Sequence, residues 1–202
     1  MTTLSASLPE TPIDPKRRQL LIATSVAGAA AGAAIAIPLL SSMAPSERAM
    51  SAGAPVEVDI SKLRPGELMT VEWRGKPIWI IHRSPEMMAA MKEAEPFLAD
   101  PQSSRPQQPD YATNEYRSRK PEIMVAIGIC THLGCSPKEM FKHGSEQGMT
   151  ADWPGGFFCP CHGSKFDLAG RVFKNVPAPT NLEVPPHKYL AETRLLIGDD
   201  KA

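Results

Sequence analysis

The chain has 202 residues, of which 22 are basic and 22 acidic, so its formal net charge is zero. This balance gives no support to bulk electrostatic binding of nucleic acid, which requires a surplus of basic residues. The 21 prolines exceed the usual share of about 5% and favour strands, turns and extended connections over long soluble helices.

The N-terminal part of the chain predicts one membrane-spanning helix. Residues 1–19 form a polar tail that contains Lys16, Arg17 and Arg18, and the 21 residues from 20 to 40 carry no charge. At about 1.5 Å rise per residue such a run reaches roughly 30 Å, the thickness of a bilayer core. A buried soluble helix is the alternative, but one of this length would normally show a polar face.

The charges around this span predict its orientation. Because the cations precede the span, the positive-inside rule places the N-terminus in the cytoplasm and the residues after 41 on the far side. Arg17–Arg18 also resembles a twin-arginine export signal, which handles proteins that fold before translocation, although paired arginines can also serve topology alone. Cleavage near residues 41–44, which are rich in small side chains, is a further alternative; we favour retention as an anchor.

Residues 41–55 predict a flexible tether. They are small and polar and show no hydrophobic period, a composition typical of linkers that connect separate parts of a protein. The tether lies between the predicted membrane anchor and the remainder of the chain, so its mobility is a testable property.

Residues 56–202 predict a small, mostly antiparallel β domain. Alternating or continuous apolar runs with intervening turn signals indicate strands at Val56–Ile60, Leu68–Arg74, Lys76–Arg83, Glu122–Ile129, Lys188–Glu192 and Arg194–Ile197. Pro85–Glu95 predicts a short helix with Ser84 as its N-cap. Proline-rich residues 96–121 predict a long surface excursion, and residues 136–152 a polar loop.

Two short segments contain all four cysteines of the chain. The first, residues 130–135, reads Cys-Thr-His-Leu-Gly-Cys, and the second, residues 159–164, reads Cys-Pro-Cys-His-Gly-Ser. Thiolates suit zinc or iron–sulfur clusters, and neutral imidazoles suit zinc and iron. Cys130, His132, Cys159 and His162 therefore predict a metal site that holds either one tetrahedral zinc ion or a two-iron cluster. We expect His82, His143 and His187, which have no cysteine nearby, to have structural or solvated roles.

The paired segments resemble those of Rieske iron–sulfur proteins. The version with two additional cysteines resembles the bacterial iron–sulfur subunits of ubiquinol–cytochrome c reductase, the cytochrome bc complex. The N-terminal anchor, the segment Asn114–Ser118 and the loop Pro177–Ala178–Pro179 extend the resemblance over most of residues 16–198.

The resemblance implies a fold and a set of site residues. The fold is a small antiparallel β domain of the Rieske type, with a cluster-binding subdomain of two loops at about residues 130–136 and 159–166. Cys130 and Cys159 would hold one iron of a single 2Fe–2S cluster, and His132 and His162 the other. Cys135 and Cys161 would form a disulfide, and Ser164 would donate a hydrogen bond to a bridging sulfide. Phe166 departs from the family, in which a tyrosine commonly donates a hydrogen bond to a cysteine sulfur, here taken as Cys130.

The resemblance also implies a function. His162 would accept a hydrogen bond from ubiquinol at the quinol-oxidation site of cytochrome b, and one electron would enter the cluster. Movement of the head on the tether would then carry the electron to a c-type cytochrome, with Leu133 and Gly134 forming the docking tip. The subunit would lie in the bacterial inner membrane, with its Rieske domain in the periplasm and its N-terminus in the cytoplasm, as part of a dimeric complex.

Two other functions fit parts of the pattern. A Rieske subunit of another periplasmic oxidoreductase, such as an arsenite oxidase small subunit, would use the cluster only to relay electrons. A structural zinc module would use the same two cysteines and two histidines without any redox chemistry.

Overall fold

The computed structural model describes residues 14–201, and the chain divides into two compact units, Met1–Ala49 and Met50–Ala202. Within the first unit, helix α1 (Pro15–Ser42) contains the whole predicted span. Asp14 caps this helix by accepting a hydrogen bond from the backbone N–H of Lys16 at 2.9 Å. The helix is long and apolar enough to cross a membrane, and none of its described side chains is buried in the protein.

The predicted tether contains some local structure. Helix α1 ends at Ser42, and a second helix of six residues, α2 (Glu47–Ala52), follows after a short turn. Isolated helices this short are marginal in water, so α2 does not by itself make the segment rigid. The mobility of residues 41–55 stays a prediction.

The described part of the second unit contains three antiparallel sheets of three strands each, which confirms the mostly antiparallel β domain that the apolar runs predicted. The first sheet has the order β1-β9-β8, with strands at Val56–Asp59, Arg194–Ile197 and His187–Ala191. The second has the order β2-β3-β4, with strands at Leu68–Trp73, Lys76–His82 and Ile123–Ile127. The third has the order β5-β6-β7, with strands at Lys138–Met140, Gly156–Phe158 and Lys165–Phe166.

The central sheet β2-β3-β4 is buried on both faces, which explains the uninterrupted apolar runs of β3 and β4. Ile78 and Ile80 point to one face and join a core cluster with Leu195 of the first sheet. Trp79 and Ile81 point to the other face and join the cluster that contains both free cysteines. One face of the central sheet therefore packs in the same apolar cluster as the two cysteines of the predicted metal site.

Helix α3 (Pro85–Ala94) follows β3 and packs against the third sheet and the turn after it. Its N-cap is Ser84, as predicted, whose side chain accepts a hydrogen bond from the N–H of Met87. Met87 and Met91 are buried and share a small apolar cluster with Leu168 and Ala169. The helix thus contacts the segment that follows the second cysteine loop.

Two loop predictions need correction. Residues 136–152 were predicted as a polar loop, but they contain strand β5, which pairs with β6, and a 3₁₀ turn at Gly144–Gln147. Residues 96–121 form no strand, as predicted, and contain 3₁₀ turns at Glu95–Phe97 and Asp110–Ala112. They are not a simple surface excursion, because they contribute several buried side chains: Leu98, Asp100, Ser103, Ala112, Arg117 and Ser118.

Candidate metal centre

The two cysteine–histidine loops have the same backbone hydrogen bonds. In the first loop, the N–H of Cys130 donates to the carbonyl of Cys135 at 2.8 Å, and the N–H of Gly134 donates to the carbonyl of Cys130 at 3.0 Å. In the second loop, the N–H of Cys159 donates to the carbonyl of Ser164 at 2.8 Å, and that of Gly163 to the carbonyl of Cys159 at 2.9 Å. Each loop therefore closes over six residues, with a cysteine at its start.

A glycine in the left-handed region lets each loop turn back on itself. Gly134 has φ +81° and Gly163 has φ +77°, and a Cβ at either position would meet no other atom within 4 Å. The glycines are required by backbone conformation and not by crowding, since L-residues with a side chain adopt this region at a cost of about 1–2 kcal/mol.

The two free thiols lie at the bases of the loops and are buried. Cys130 is 2% exposed and Cys159 is 1% exposed, and neither belongs to a disulfide. Burial raises the pKa of the Cys130 thiol, and the neighbouring Cys159 adds to this rise, whereas hydrogen bonds from the N–H of His132 and from Ser164 lower it. A metal that binds here must displace the thiol proton, because the thiolate is the ligand.

The two histidines lie on the outer side of the same site. The imidazoles of His132 and His162 are 4.8 Å apart between ring centroids, with their planes at 86°. His132 is half-buried and His162 is exposed. The two loops thus carry two buried thiols and two imidazoles nearer to the solvent, and the binding of a metal by these four side chains stays a prediction.

The remaining two cysteines form a disulfide, as predicted. Cys135 and Cys161 are joined, with their Cα atoms 6.8 Å apart, and so connect the two loops. The sulfurs of Cys135, Cys159 and Cys161 lie within 4.8 Å of one another. These three sulfurs are not a metal site, because two of them are bonded to each other; their proximity shows instead that the disulfide lies directly beside Cys159.

Ser164 connects the second loop to the proline-containing loop, and its side chain is fully buried. Its hydroxyl oxygen accepts a hydrogen bond from the backbone N–H of Ala178 at 3.0 Å. Pro177 and Pro179 have no N–H, so Ala178 provides the one backbone donor of the Pro177–Ala178–Pro179 stretch. With its oxygen occupied in this way, the hydroxyl proton is free to point toward the sulfur of Cys130, whose pKa it lowers.

Thr131 makes a second connection that sequence reasoning missed. Its hydroxyl donates to the carbonyl of Thr180 at 2.7 Å, so the first cysteine loop is also fastened to the chain that follows Pro179. The sequence contained one signal for this contact, which is the hydroxyl of a threonine directly after a cysteine that is predicted to bind metal. Both cysteine loops are therefore held by the same third segment, through Thr131 and Ser164.

Phe166 and Leu133 have contrasting environments. Phe166 on β7 is fully buried in the core cluster that contains Cys130 and Cys159, and its ring has no hydrogen-bond donor for their sulfurs.

Leu133 is 71% exposed at the tip of the first loop, and the adjoining Gly134 is exposed as well. An exposed leucine beside two imidazoles is a suitable apolar contact for a docking partner, which remains a prediction for both residues.

The other histidines lie outside the site. The Nδ1 atom of His82 lies 2.8 Å from the carbonyl of Leu63, and that of His187 lies 2.9 Å from the carbonyl of Pro185. Burial lowers the pKa of His187 to about 4, so this side chain is neutral at physiological pH. His143 is exposed and lies 3.4 Å from Glu93.

The donor chemistry fits a two-iron cluster better than a single zinc ion. Two buried thiols and two outward imidazoles form two separate like pairs, which suits two metal ions with different ligands.

Comparisons with known proteins agree with this chemistry. Residues 110–186 match the family model described as Rieske [2Fe-2S] domain, and residues 9–46 match the ubiquinol–cytochrome c reductase Fe–S subunit TAT signal. The chain is 60% identical over 186 residues to the ubiquinol–cytochrome c reductase iron–sulfur subunit of Allochromatium vinosum, covering 92% of this chain and 89% of the relative. It is 42% identical to the subunit of the same name from Blastochloris viridis, covering 91% of this chain and 92% of the relative.

Among solved structures, a chain of a hyperthermophilic respiratory Complex III is similar at 27% identity and a TM-score of 0.46. The similarity covers 86% of this chain and 97% of the other.

Proposed function

Because the chain belongs to the family of Rieske iron–sulfur subunits of ubiquinol–cytochrome c reductase, we propose that it accepts electrons from ubiquinol and delivers them to a c-type cytochrome. The chain carries the Rieske 2Fe–2S cluster of this family. The observation that supports the proposal most strongly is the arrangement of two buried thiols and two outward imidazoles on loops joined by a disulfide. Because His162 is exposed, a quinol or a partner protein can reach a site that holds this donor set from outside the protein.

Four side chains hold the cluster in this proposal. Cys130 and Cys159 would bind one iron, and His132 and His162 would bind the other. When bound, the cluster supplies a one-electron carrier whose potential, at about −150 to +300 mV, exceeds that of all-cysteine plant-type ferredoxins. Ser164 would donate a hydrogen bond to a sulfide of the cluster, while its oxygen accepts one from the N–H of Ala178 at 3.0 Å.

His162 is the residue that meets the quinol. Its imidazole is exposed, whereas that of His132 is half-buried, so a quinol hydroxyl reaches His162 more readily. The ring nitrogen of His162 that does not bind metal would, in its deprotonated form, accept the hydrogen bond and then the proton of that hydroxyl. One electron of the quinol enters this subunit, and the second electron goes to cytochrome b.

The exposed tip and the tether complete the electron path. Leu133 and Gly134 provide the docking surface, first for cytochrome b and then for the c-type cytochrome. Residues 41–55 allow the head to move between them, with α1 retained in the inner membrane, the N-terminus in the cytoplasm and the head in the periplasm. The subunit occurs in a dimeric complex.

Purification from membranes tests this function. Extraction of the full chain with mild detergent is expected to bring along b- and c-type haems and quinol–cytochrome c reductase activity. Protection of the head from protease in intact cells, and its cleavage once the outer membrane is opened, would support the periplasmic location. A colourless protein without a haem partner and without a paramagnetic signal on reduction would indicate the zinc module instead.

The tether is tested separately. Replacing part of residues 41–55 by a proline run stiffens the segment, since proline-rich linkers are semi-rigid spacers. A glycine–serine replacement of equal length is the matched control. We expect the proline variant to lose turnover while its cluster spectrum is unchanged, and the control to keep turnover; equal turnover in both variants would contradict the movement.

A further inference from the structure

Three buried arginines converge on the turn that follows the second cysteine loop. Arg83, Arg117 and Arg171 are at most 2% exposed. The turn comprises residues 167–171 and begins directly after β7, whose two residues follow Ser164. Arg83 donates to the carbonyl of Leu168 at 3.3 Å, and Arg171 pairs with Asp167 at 2.7 Å. This turn therefore holds the end of the cluster-binding subdomain against the rest of the fold.

Arg117 joins this turn to a second segment near the site. Its guanidinium donates to the carbonyls of Ala169 at 3.2 Å and Gly170 at 3.4 Å, and to the carbonyl of Leu182 at 2.7 Å. Leu182 in turn donates its N–H to the carbonyl of Gly170 at 2.8 Å and lies in the same apolar cluster as the two free cysteines. One side chain thus joins two backbone segments, of which the one at Leu182 packs in the apolar cluster that contains the two free cysteines.

The segment Asn114–Ser118 presents this arginine inward. The Asn114 amide oxygen accepts hydrogen bonds from the N–H groups of Tyr116 at 3.0 Å and Ser118 at 3.4 Å. Arg117 itself lies in the left-handed region, with φ +49°, a conformation that a non-glycine residue adopts at a cost. With the backbone of Arg117 in this conformation, its side chain lies in the core.

The charge of Arg117 is not neutralised by contact. Its hydrogen-bond partners are three carbonyls and the amide oxygen of Gln108 at 3.0 Å, all of them neutral. Among the described residues, the buried carboxylates are Asp167, which pairs with Arg171, and Asp100, whose oxygens accept from Ser104 and the N–H of Arg105. Burial lowers the pKa of Arg117 to about 10, and the nearby carboxylates of Asp167 and Asp100 act in the opposite direction without contacting it, so it keeps its proton at neutral pH.

We infer that Arg117 is a positioning residue of the iron–sulfur site whose buried positive charge raises the midpoint potential of the cluster. Reduction adds one negative charge to the site, and a fixed positive charge in a medium of low dielectric favours the state with more negative charge. The inference rests on the proposed function only through the assignment of the cluster to Cys130, His132, Cys159 and His162.

A set of charge variants separates this role from a purely structural one. In Arg117→Gln the equilibrium constant for reduction should fall roughly threefold or more, which is about 28 mV. Arg117→Lys keeps the charge and should have a midpoint close to that of the unmodified protein at neutral pH, even if it is less stable. Asp167→Asn removes a buried negative charge and should raise the midpoint. Loosening of the fold alone would not shift the midpoint in opposite directions for opposite changes of charge.

The matched control is Arg119→Gln, two residues along the same segment. Arg119 is exposed, lies over the ring of Tyr111 and donates to the carbonyl of His187 at 2.9 Å. Removal of a solvated charge should leave the midpoint unchanged, because water screens it.

The experiment is a redox titration of the full chain in membranes, monitored by the paramagnetic signal of the reduced cluster. The expected order of midpoints is Asp167→Asn above the unmodified protein, Arg119→Gln equal to it and Arg117→Gln below it. A loaded Arg117→Gln protein with an unchanged midpoint would overturn the inference. If Arg117→Gln does not accumulate, an unchanged or lowered midpoint in Asp167→Asn overturns it instead.

Failure of the proposed function would be recognised by different results. Absence of a cluster signal in the unmodified protein, or absence of its reduction by quinol, would contradict that function. If the cluster signal is present but the charge variants have the same midpoint potential as the unmodified protein, only the role of Arg117 is contradicted.

Discussion

Removing the hydroxyl of Ser164 should affect stability and redox potential together. In Ser164→Ala the backbone N–H of Ala178 loses its acceptor at 3.0 Å. Ala178 is only 5% exposed, so water does not readily replace that partner. The same change removes the hydroxyl whose hydrogen bond lowers the pKa of the Cys130 thiol. One substitution thus disconnects the second cysteine loop from the proline-containing loop and removes a donor from the metal centre.

The magnitudes follow from these two losses. A buried N–H without an acceptor costs about 1–3 kcal/mol, so we expect the free energy of unfolding to fall by about 2 kcal/mol. A hydrogen bond to a charged acceptor contributes about 1.5–3 kcal/mol, and it strengthens as the acceptor gains charge. If the reduced state loses about 1.4 kcal/mol more than the oxidised state, the midpoint falls by about 59 mV for one electron.

The assay is a redox titration of the full chain combined with denaturant unfolding. Ser118→Ala is the matched control, because Ser118 is also a buried serine whose hydroxyl bonds Arg83 and the carbonyl of Lys120, each at 2.8 Å. The control should lose stability and keep its midpoint. An unchanged midpoint in a loaded Ser164→Ala protein, or an equal fall in the control, would refute the reasoning.

Three further predictions follow from other parts of the site and the core. Phe166→Tyr places a hydroxyl in the buried cluster that contains Cys130, and we expect redox titration to show a higher midpoint; no change would mean that the hydroxyl does not reach a sulfur. Replacing both Cys135 and Cys161 by Ser removes a cross-link between residues separated by 26 positions, which lowers the free energy of unfolding by about 3.5 kcal/mol in the chain-entropy model; denaturant titration of the head that shows no loss would contradict this. Burial lowers the pKa of His187 from 6.5 to about 4, so the unfolded chain binds a proton that the folded chain does not. Stability should therefore fall by up to about 3 kcal/mol as the pH drops from 6.5 to 4, and His187→Gln should flatten this part of the profile in unfolding measured against pH.

The two cysteine–histidine loops and the disulfide between them could be predicted from sequence because their residues are local and chemically rare. Four cysteines and two histidines lie within two hexapeptides, and each hexapeptide forms one closed loop. The strands β3 and β4 could also be predicted, since burial on both faces produces long apolar runs such as Ile78–Ile81.

The arginine contacts could not be predicted in the same way. Arg117 donates to carbonyls that lie 52 to 65 positions further along the chain, and a local pattern contains no information on such partners. A charged residue in a proline-rich segment is usually exposed, so residues 96–121 were assigned to the surface although part of them is buried. Strand β5 was missed for a related reason: its residues Lys138–Met140 show no apolar alternation and form a strand through pairing with β6.

Quinol reduction of the cluster in the intact membrane tests the central claim most directly. Oxidised membranes that contain the full chain would be mixed with ubiquinol, and the paramagnetic signal of the reduced cluster would be recorded. The proposed function predicts that the signal appears in the unmodified protein and that a haem of c-type cytochrome becomes reduced with it. A cluster that chemical reductants reduce but ubiquinol does not would contradict the assignment of this chain to quinol oxidation.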